Sequence, residues 1–552
     1  MSLLDSQNAL HTVLNTHYIS HLFSLCFMRS KPYLLLALAA LAAPAALHAQ
    51  TQTLDDVSRI NRSAIEPVYA GNEVKGYILY AKGDKADRKN DNYRLDFYDQ
   101  ELTKAASITL QKPSGKYYPL GNVFNGTAFA LYSYNAKDKT LELATYDTGL
   151  KELGTKAIGD LNRADMMAVQ QVGMQQDAAG GGSPFGGLSL FPVPGFGFVR
   201  NSFEGLGKGY NLQMYDDKLT PRWRVSSDPK SKFYESISLT EATDKYILAT
   251  VMRRDGMLSK KINSYMVAIE ARTGKKVLDV SVETSATEQL SLSSFTFDAV
   301  KREFVAVGEF YKLDDKPFVN KSQGFFIKRF SEAGKAIGAK NYGWQKEVRA
   351  AMPAEARQSM EDGFVNFAQS IVRTASGKTY IVAEQYKIVA DGLGIAAAML
   401  GGGGMSVSKG QIANMFVFGL DPDGKLTDVK FFAKDPSRAF VPSGAGLAGT
   451  GLLGYLFKAT GQFDYQFIQK NDANSQFNVV YINYDKEKGE QTKKVIGNIG
   501  FGESGPFKLD KIDGTSNATA SFLYPAKPGY LMMVDYLKKE KKVGMKLVKL
   551  NM

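Results

Sequence analysis

The residue types that most often perform enzyme chemistry are missing from most of this 552-residue chain. All four histidines and the single cysteine precede residue 49: His11, His17, His21, Cys26 and His48. Residues 50–552 therefore cannot build a Ser-His-Asp or Cys-His nucleophile, a His/Cys zinc site, a Cys-ligated iron–sulfur cluster or a disulfide. The sequence predicts no metal site and no cofactor. It leaves open whether the protein is an enzyme and favours a non-catalytic role.

The N-terminal segment has the anatomy of an export signal. Met28–Lys31 is a short basic stretch, Leu34–Leu47 is an apolar run of Leu and Ala, and Ala49 precedes Gln50 at a suitable cleavage point. The apolar run is shorter than the roughly 20 residues that a membrane span needs, although an N-terminal anchor is the alternative. We expect Met28 to be the true start, residues 1–49 to be removed, and the mature chain to be periplasmic or secreted without a membrane span.

The chain is basic, with a formal net charge of +12. Removal of Arg29, Lys31 and Asp5 with the signal would leave +11. Such a charge supports solubility or attracts an anionic surface or polymer. The Lys538–Lys542 run lies at a predicted hairpin tip and favours the first interpretation. We expect no nucleic-acid partner.

A repeating pattern predicts the elements that position any site. Apolar and polar residues alternate over short strands that are separated by Gly, Asp or Asn turns, which is typical of β-hairpins. Two hairpins in series form a four-stranded unit, and repeats of this kind predict a β-propeller. Eight units start near Ser63, Tyr117, Asp165, Phe233, Ser291, Phe364, Gly444 and Ala518.

The predicted fold is therefore all-β, a propeller of about eight four-stranded blades with seven as the alternative, forming one domain over residues 50–552. A chain of β-sandwich domains is disfavoured because each unit is too small for one. The last unit lacks a fourth strand, which residues Leu54–Ile60 could supply and so close the ring. We expect a monomer.

Four segments interrupt the repeat. Trp344–Met360 is predicted to be a short helical insertion. Ala178–Phe198 is interpreted as a loop between the first two strands of a unit, Asp391–Gly410 as a loop between its second and third strands, and Gly444–Gly454 as another apolar, Gly-rich segment. Long loops on a repeated scaffold carry function more often than cores do.

Two acidic turns are candidates for calcium binding. Asp421–Gly424 begins like a calcium-binding loop, but Phe432 stands where the ligating Glu belongs, and a type I turn explains the motif. Asp84, Asp87 and Asp91 cluster in one loop among Lys and Arg residues, which would compensate them without a metal.

Two segments suggest a family. Asp84–Asn90 and Gly324–Phe330 resemble an uncharacterised family of exported propeller-like proteins of Gram-negative bacteria. The resemblance extends over most of residues 50–552. It implies the propeller fold and no known activity.

The loops suggest which face binds a partner. In a four-stranded antiparallel blade, the connections between strands two and three and between consecutive blades emerge on one face, and most excess chain belongs to these connections. We therefore predict an exported, non-catalytic propeller that binds an unknown protein or polymer on this face. A carboxylate-dependent glycoside hydrolase or lyase in the central channel is the alternative. The predicted binding residues are Arg253, Arg254, Asp314, Asp315, Met399 and Leu400.

Overall fold

The computed structural model describes residues 50–550 except 61, 160, 168, 170–189, 205–207, 257–261, 283–286, 316–318, 400–406, 442–448, 486–492, 503–504 and 514–517. The alternating segments form strands, 33 of them in this part of the chain, grouped into eight antiparallel sheets. The first strand, β1 (Thr51–Leu54), belongs to a different sheet from the strands that follow it in sequence.

The next sixteen strands form blades 1 to 4, four consecutive strands in each. Blade 1 consists of β2 (Ile65–Ala70), β3 (Glu73–Lys85), β4 (Asn90–Asp99) and β5 (Lys104–Pro113). Blade 2 consists of β6 (Tyr117–Phe124), β7 (Phe129–Asn135), β8 (Thr140–Tyr146) and β9 (Glu152–Ile158). Blade 3 consists of β10 (Leu190–Val193), β11 (Gly197–Glu204), β12 (Gly209–Tyr215) and β13 (Pro221–Ser226). Blade 4 consists of β14 (Tyr234–Ala242), β15 (Tyr246–Arg254), β16 (Ile262–Glu270) and β17 (Lys276–Ser281).

Blades 5 to 8 continue the pattern, and blade 6 carries one additional strand. Blade 5 consists of β18 (Glu288–Asp298), β19 (Glu303–Lys312), β20 (Gly324–Ser331) and β21 (Ala336–Gly343). Blade 6 consists of β22 (Val365–Arg373), β23 (Thr379–Ala390), β24 (Ser408–Leu420), β25 (Leu426–Phe432) and the additional β26 (Ser437–Ala439). Blade 7 consists of β27 (Tyr465–Lys470), β28 (Gln476–Asp485), β29 (Lys493–Gly502) and β30 (Gly505–Asp513). Blade 8 contains β31 (Ala520–Pro525), β32 (Tyr530–Leu537) and β33 (Lys542–Lys549).

The ring closes through strands from both ends of the described chain. Strand β1 pairs with β33 as the fourth strand of blade 8, with Thr51 opposite Lys546 and Leu54 opposite Val543. The predicted closure is confirmed, but the closing strand lies earlier than Leu54–Ile60. Because β1 covers the outer edge of β33, the backbone N–H and C=O groups on that edge are paired and not exposed.

We name the strands of each blade A to D in chain order, with β1 as strand D of blade 8. The A strands of neighbouring blades contact one another around most of the ring, so they are innermost and surround the central channel. The A–B and C–D turns emerge on one face. The B–C and D–A connections emerge on the other, which we call the loop-bearing face.

Repeated C–D turns explain much of the sequence pattern. In blades 1 to 3 an Asp side chain accepts backbone N–H bonds from the turn, and a Leu three residues later has a positive φ near 60°: Leu102, Leu150 and Leu219. Each Leu is buried, and that burial offsets the steric cost of the left-handed conformation. Gly424 takes the same position after Asp421, whose carboxylate accepts from the N–H groups of Asp423 and Lys425. The Asp421 motif is thus a turn.

The core consists of apolar layers between successive blades. Alternating residues of one strand contact the two neighbours: Val305 of β19 packs with Ile381 of blade 6, whereas Phe304 packs with Leu248 of blade 4. Eight such layers surround the ring, and the last joins Met532 of blade 8 to blade 1. Successive side chains of a strand point to opposite faces of the sheet, and both faces are buried here. The strands are therefore rich in Val, Ile, Phe and Tyr.

Helices occupy D–A and B–C connections. The predicted insertion Trp344–Met360 is confirmed as a π-helical turn (Trp344–Val348), a short helix (Arg349–Ala351) and α1 (Ala354–Glu361). Two more helices form in segments that the sequence analysis interpreted as loops: α2 (Gly392–Met399) and α3 (Thr450–Ala459).

Two unit boundaries were predicted wrongly. Blade 3 starts at Leu190, not near Asp165. Of the predicted A–B loop Ala178–Phe198, residues 178–189 are outside the described residues, and the described part contains β10 and the start of β11. Strand β10 ends at Val193, and a three-residue turn leads directly into β11. Blade 7 starts at Tyr465, not near Gly444, because α3 precedes its first strand. The second correction adds α3 to the loop-bearing face.

Candidate functional site

Arg253 is the second-last residue of strand β15, near the loop-bearing face, and is held within blade 4. Its Nε donates to Glu235 Oε1 at 2.7 Å, and its Nη2 lies 3.2 Å from Asp279 Oδ2. The guanidinium also lies 3.8 Å from the ring centroid of Tyr265. These contacts come from strands A, C and D of the same blade, so Arg253 fastens the end of blade 4 while 19% of its side chain stays exposed. Arg254 is the last residue of β15 and lies opposite Tyr234.

The other predicted binding residues lie on the same face in neighbouring blades. Asp314 is exposed in the B–C connection of blade 5, where Asp315 accepts from the N–H of Lys312 at 3.2 Å. Met399 is the last residue of α2 on blade 6, and Leu400 is outside the described residues. The contacts described for Arg253 and Asp315 remain within their own blades, so grouping of these residues into one site stays a prediction. Ala49 is outside the described residues, and the carbonyl of Gln50 accepts from Leu547 N–H at 3.0 Å.

The most elaborate part of the loop-bearing face is on blade 6. We call α2, β26, α3 and the described residues that join them the blade 6 cap. Strand β26 extends the sheet beside β24, with Ala439 opposite Gly410. Beneath the cap is a separate apolar cluster, the only one of the nine in the described chain that does not lie between two blades: Phe367, Tyr386, Ile412, Ala439, Val441, Leu453, Phe457 and Phe463.

Ion pairs fix the cap to the propeller. Asp391, almost fully buried at the start of α2, binds Arg438 of β26, and Lys409 of β24 lies 3.6 Å away. Deeper in the fold, the fully buried Lys434 ammonium lies between Glu384 of β23, at 3.3 Å, and Asp464. Because two carboxylates share one cation in a buried site, burial and the neighbouring Asp464 raise the pKa of Glu384.

Above this fixed base, the cap exposes large apolar side chains. Leu393 on α2 is 68% exposed and Phe440, immediately after β26, is 66% exposed. Val407 and Leu452 are exposed as well. Hydrogen bonds of Asp391 connect the segments that carry these side chains. Its N–H donates to the Val407 carbonyl, and its carboxylate binds Arg438. An apolar surface on a rigid base is typical of an interaction site.

Helix α3 also reaches the channel wall. The Tyr455 hydroxyl donates to the Leu292 carbonyl of β18 at 2.9 Å, which ties α3 to the A strand of blade 5. Lys458 Nζ donates to the Gln369 carbonyl of β22 at 2.8 Å, which ties it to blade 6. Surrounding protein lowers the pKa of Lys458 to about 8, although the side chain remains accessible to solvent.

Other ionisable residues of the inner strands also have shifted pKa values. Burial raises the pKa of Glu66 on β2 to about 8 and also raises that of Glu241 on β14. Glu241 accepts from the Thr296 hydroxyl at 2.7 Å. Burial lowers the pKa of Lys470 on β27, and the charge of Glu241 opposes that effect, so blades 4 and 7 interact electrostatically across the ring.

Sequence reasoning missed Leu393, Phe440, Lys458 and the inner-strand carboxylates. The sequence did point to Leu393 indirectly, because this residue lies within the loop that was predicted to bind a partner. Phe440 and Lys458 had none, since their exposure and surroundings depend on how β26 and α3 fold onto blade 6. Among the described residues, no group of three or more Asp, Glu, His or Cys side chains is arranged to hold a metal ion.

The fold and this face define an eight-bladed β-propeller whose loop-bearing face carries helical insertions and a cap on blade 6. The chain belongs to the family of unknown function DUF6770, whose model matches residues 28–551.

Solved structures with a similar fold differ widely in sequence. Prolyl oligopeptidase B from Galerina marginata, bound to a 35mer substrate, is 8% identical with a TM-score of 0.39, over 86% of this chain and 55% of that one. The β-propeller domain of the Trilobed protease from Pyrococcus furiosus is 11% identical with a TM-score of 0.34, over 82% and 97% of the two chains. The polysaccharide lyase Uly1 is 10% identical with a TM-score of 0.31, over 90% and 91%. These similarities carry no functional argument for this chain.

The sequence matches no curated protein. In the part of the chain that the structure describes, no helix has both the length and the apolar character needed to cross a membrane.

Proposed function

We propose that this protein is an exported, non-catalytic propeller that binds a protein partner through the blade 6 cap on its loop-bearing face. The observation that carries the proposal is the exposure of Leu393 and Phe440 on a cap that ion pairs of the buried Asp391 carboxylate hold in place. Export is inferred from the signal-like segment before Gln50.

The composition of the cap favours a protein partner over a polymer. Aromatic and Arg side chains are enriched in the core of protein interfaces, and the cap exposes both Phe440 and Arg438. Phe440 lies two residues from Arg438, and backbone bonds to Gln462 fix its position: its N–H donates to Oε1, and its carbonyl accepts from Nε2 at 3.2 Å. A chain with an excess of positive charge favours an acidic partner.

The surroundings of three carboxylates whose pKa is raised by burial, Glu66, Glu241 and Glu309, do not favour the hydrolase alternative. Glycoside hydrolysis commonly needs two carboxylates that face each other across the substrate. Glu66 has tyrosine neighbours, Glu241 interacts with Lys470, and Glu309 accepts from Tyr311 and Ser322, each at 2.8 Å. None of these three described carboxylates is paired electrostatically with another.

Site-specific photo-crosslinking tests the proposal. A benzoylphenylalanine at position 440 or 393 should crosslink to one discrete protein in cells of the source organism. Position 300 is the matched control, because Val300 is 87% exposed in an A–B turn on the opposite face. Equal crosslinking from position 300, or crosslinking to polysaccharide alone, would contradict the assignment.

The purified crosslinked protein then allows an affinity measurement. Replacing both Leu393 and Phe440 with Ser should weaken binding by at least about 10-fold, since buried aromatic and aliphatic anchors dominate interface energies. Val300→Ser should bind like the unmodified protein. N-terminal sequencing of the mature protein tests export separately, with Gln50 as the expected first residue.

A further inference from the structure

A cavity of about 400 Å³ lies between blades 2 and 3, near the loop-bearing face. Small-molecule sites usually have volumes of about 300–1,000 Å³, so this cavity is large enough for a ligand. Strands β11 to β13 form one wall, and the end of β9 with the connection after it forms the other. The polar and charged residues on its wall include Asp165, Arg200, Asn211, Gln213, Tyr215 and Arg224.

Arg200 of β11 is a buried cation with few partners. The residue is only 7% exposed, and its Nε donates to the Tyr132 hydroxyl of blade 2 at 3.3 Å. Its Nη2 lies 4.0 Å from Asp165 Oδ2, which is beyond hydrogen-bond distance. Within the described residues, neither Nη group of Arg200 forms a hydrogen bond. A buried guanidinium with unused donors costs free energy unless another molecule accepts from it.

Tyr215 of β12 is a second buried polar residue on the wall of this cavity. It is 5% exposed, and its hydroxyl forms no hydrogen bond to any residue that the structure describes. Burial raises the pKa of Tyr215, whereas the charges of Arg200 and Arg224 lower it, so both positive charges act on the hydroxyl. The unused donors of Arg200 and Tyr215 therefore adjoin one cavity in a positive environment.

The same wall also offers hydrogen-bond acceptors. Asp165 is 2% exposed, and its Oδ1 accepts from the Phe203 N–H at 3.3 Å, while its Oδ2 is the atom nearest Arg200. The Gln213 Nε2 donates to the backbone carbonyls of Met214 and Trp223, which leaves Gln213 Oε1 as an acceptor. A ligand that satisfies this wall must present both acceptors and donors.

We propose that this cavity binds a small hydroxylated monocarboxylate, with its carboxylate on Arg200 and Tyr215 and its hydroxyls on Asp165 and Gln213. A guanidinium binds a carboxylate through two parallel N–H bonds, and a phenol donates to the same group. The described wall carries two Arg residues and one Asp. A single carboxylate therefore neutralises its excess positive charge.

Three competing ligands fit this cavity less well. A neutral saccharide leaves the excess positive charge uncompensated. Phosphate carries more negative charge than the wall requires and would lie near the buried Asp165 carboxylate. The Glu side chain of a peptide supplies a carboxylate but no hydroxyl for Asp165 and Gln213. Binding of a hydroxylated carboxylate does not depend on the protein partner proposed for the blade 6 cap.

Calorimetric titration of the mature protein with gluconate, hexanoate and sorbitol is the test. Gluconate carries a carboxylate and hydroxyls, hexanoate only the carboxylate, and sorbitol only hydroxyls, on chains of equal length. Gluconate should bind at least about 10-fold more tightly than either of the others, because only gluconate satisfies both the donors and the acceptors. The double variant with Ser at Leu393 and Phe440 should bind gluconate normally, which separates this test from that of the cap.

Tyr215→Phe removes a hydroxyl that no described residue uses, so the variant should fold. It should weaken gluconate binding about 10-fold or more, because a hydrogen bond to a charged group is lost. Tyr118→Phe is the matched control and should bind like the unmodified protein. The Tyr118 hydroxyl is exposed on blade 2 and donates to the Gly115 carbonyl at 3.1 Å.

A crystal structure of the gluconate complex gives a second measurement that needs no variant. The carboxylate should lie on Arg200 and Tyr215. Absence of gluconate binding, ordered water alone in the cavity, or unchanged affinity of Tyr215→Phe would overturn the proposal. Equal binding of hexanoate would overturn the role of the hydroxyls, and tighter binding of inorganic phosphate would overturn the carboxylate assignment.

Discussion

Glu66 should make the stability of this protein depend on pH near neutrality. Its carboxylate lies half-buried on the inner strand of blade 1, with no described hydrogen-bond partner, and burial raises its pKa from 4.5 to about 8. Between these two values the folded protein binds the proton and the unfolded chain does not. The free energy of unfolding therefore falls as pH rises from about 4.5 to about 8.

The magnitude follows from the shift. Each pKa unit corresponds to about 1.36 kcal/mol, so a pKa raised from 4.5 to about 8 destabilises the folded state by up to ~5 kcal/mol at pH 8 and ~3 kcal/mol at pH 7. With an unfolding entropy of about 2 cal/mol/K per residue, a chain of roughly 500 residues loses about 1 °C in melting temperature per kcal/mol. Glu66→Gln should thus melt about 3 °C higher than the unmodified protein at pH 7.

Differential scanning calorimetry between pH 5 and pH 8 measures this effect. The difference in melting temperature between Glu66→Gln and the unmodified protein should grow with pH. Glu355→Gln is the control, because Glu355 is exposed on α1 and should follow the unmodified protein. If the curves of Glu66→Gln and the unmodified protein run parallel across this range, burial does not shift the Glu66 pKa and the reasoning fails.

Three further predictions concern stability. Lys434→Met should cost about 3–5 kcal/mol, because it leaves Glu384 and Asp464 buried without their cation, and the added change Glu384→Gln should recover part of the loss; equal melting of both variants would contradict the shared ion pair. Deleting Thr51–Leu54 should lower the melting temperature and increase aggregation, since it exposes the edge of β33; unchanged melting and light scattering would show that β1 does not close the ring. Chelators and reductants should not shift the melting temperature of the mature protein, and a drop of several degrees with EDTA would reveal a metal site.

The sequence by itself determined the strands, the blade type and most turns. Alternation of apolar and polar residues has the period of a strand, and the repeated Asp with a Leu or Gly three residues later fits the left-handed C–D turn. These signals are local, so they survive without knowledge of the rest of the chain. The absence of histidine and cysteine after residue 48 likewise excludes several chemistries whatever fold the chain adopts.

Tertiary packing alone decided the cap, the start of blade 7 and the surroundings of the ionisable groups. Thr450–Ala459 is a short apolar run, which local periodicity cannot assign to helix or strand. As a helix it places Leu453 and Phe457, four residues apart, in the apolar cluster on blade 6, and it directs Tyr455 and Lys458 toward the inner strands. The pKa of Lys458 and the exposure of Phe440 depend on neighbours that are distant in sequence, so only the folded chain defines them.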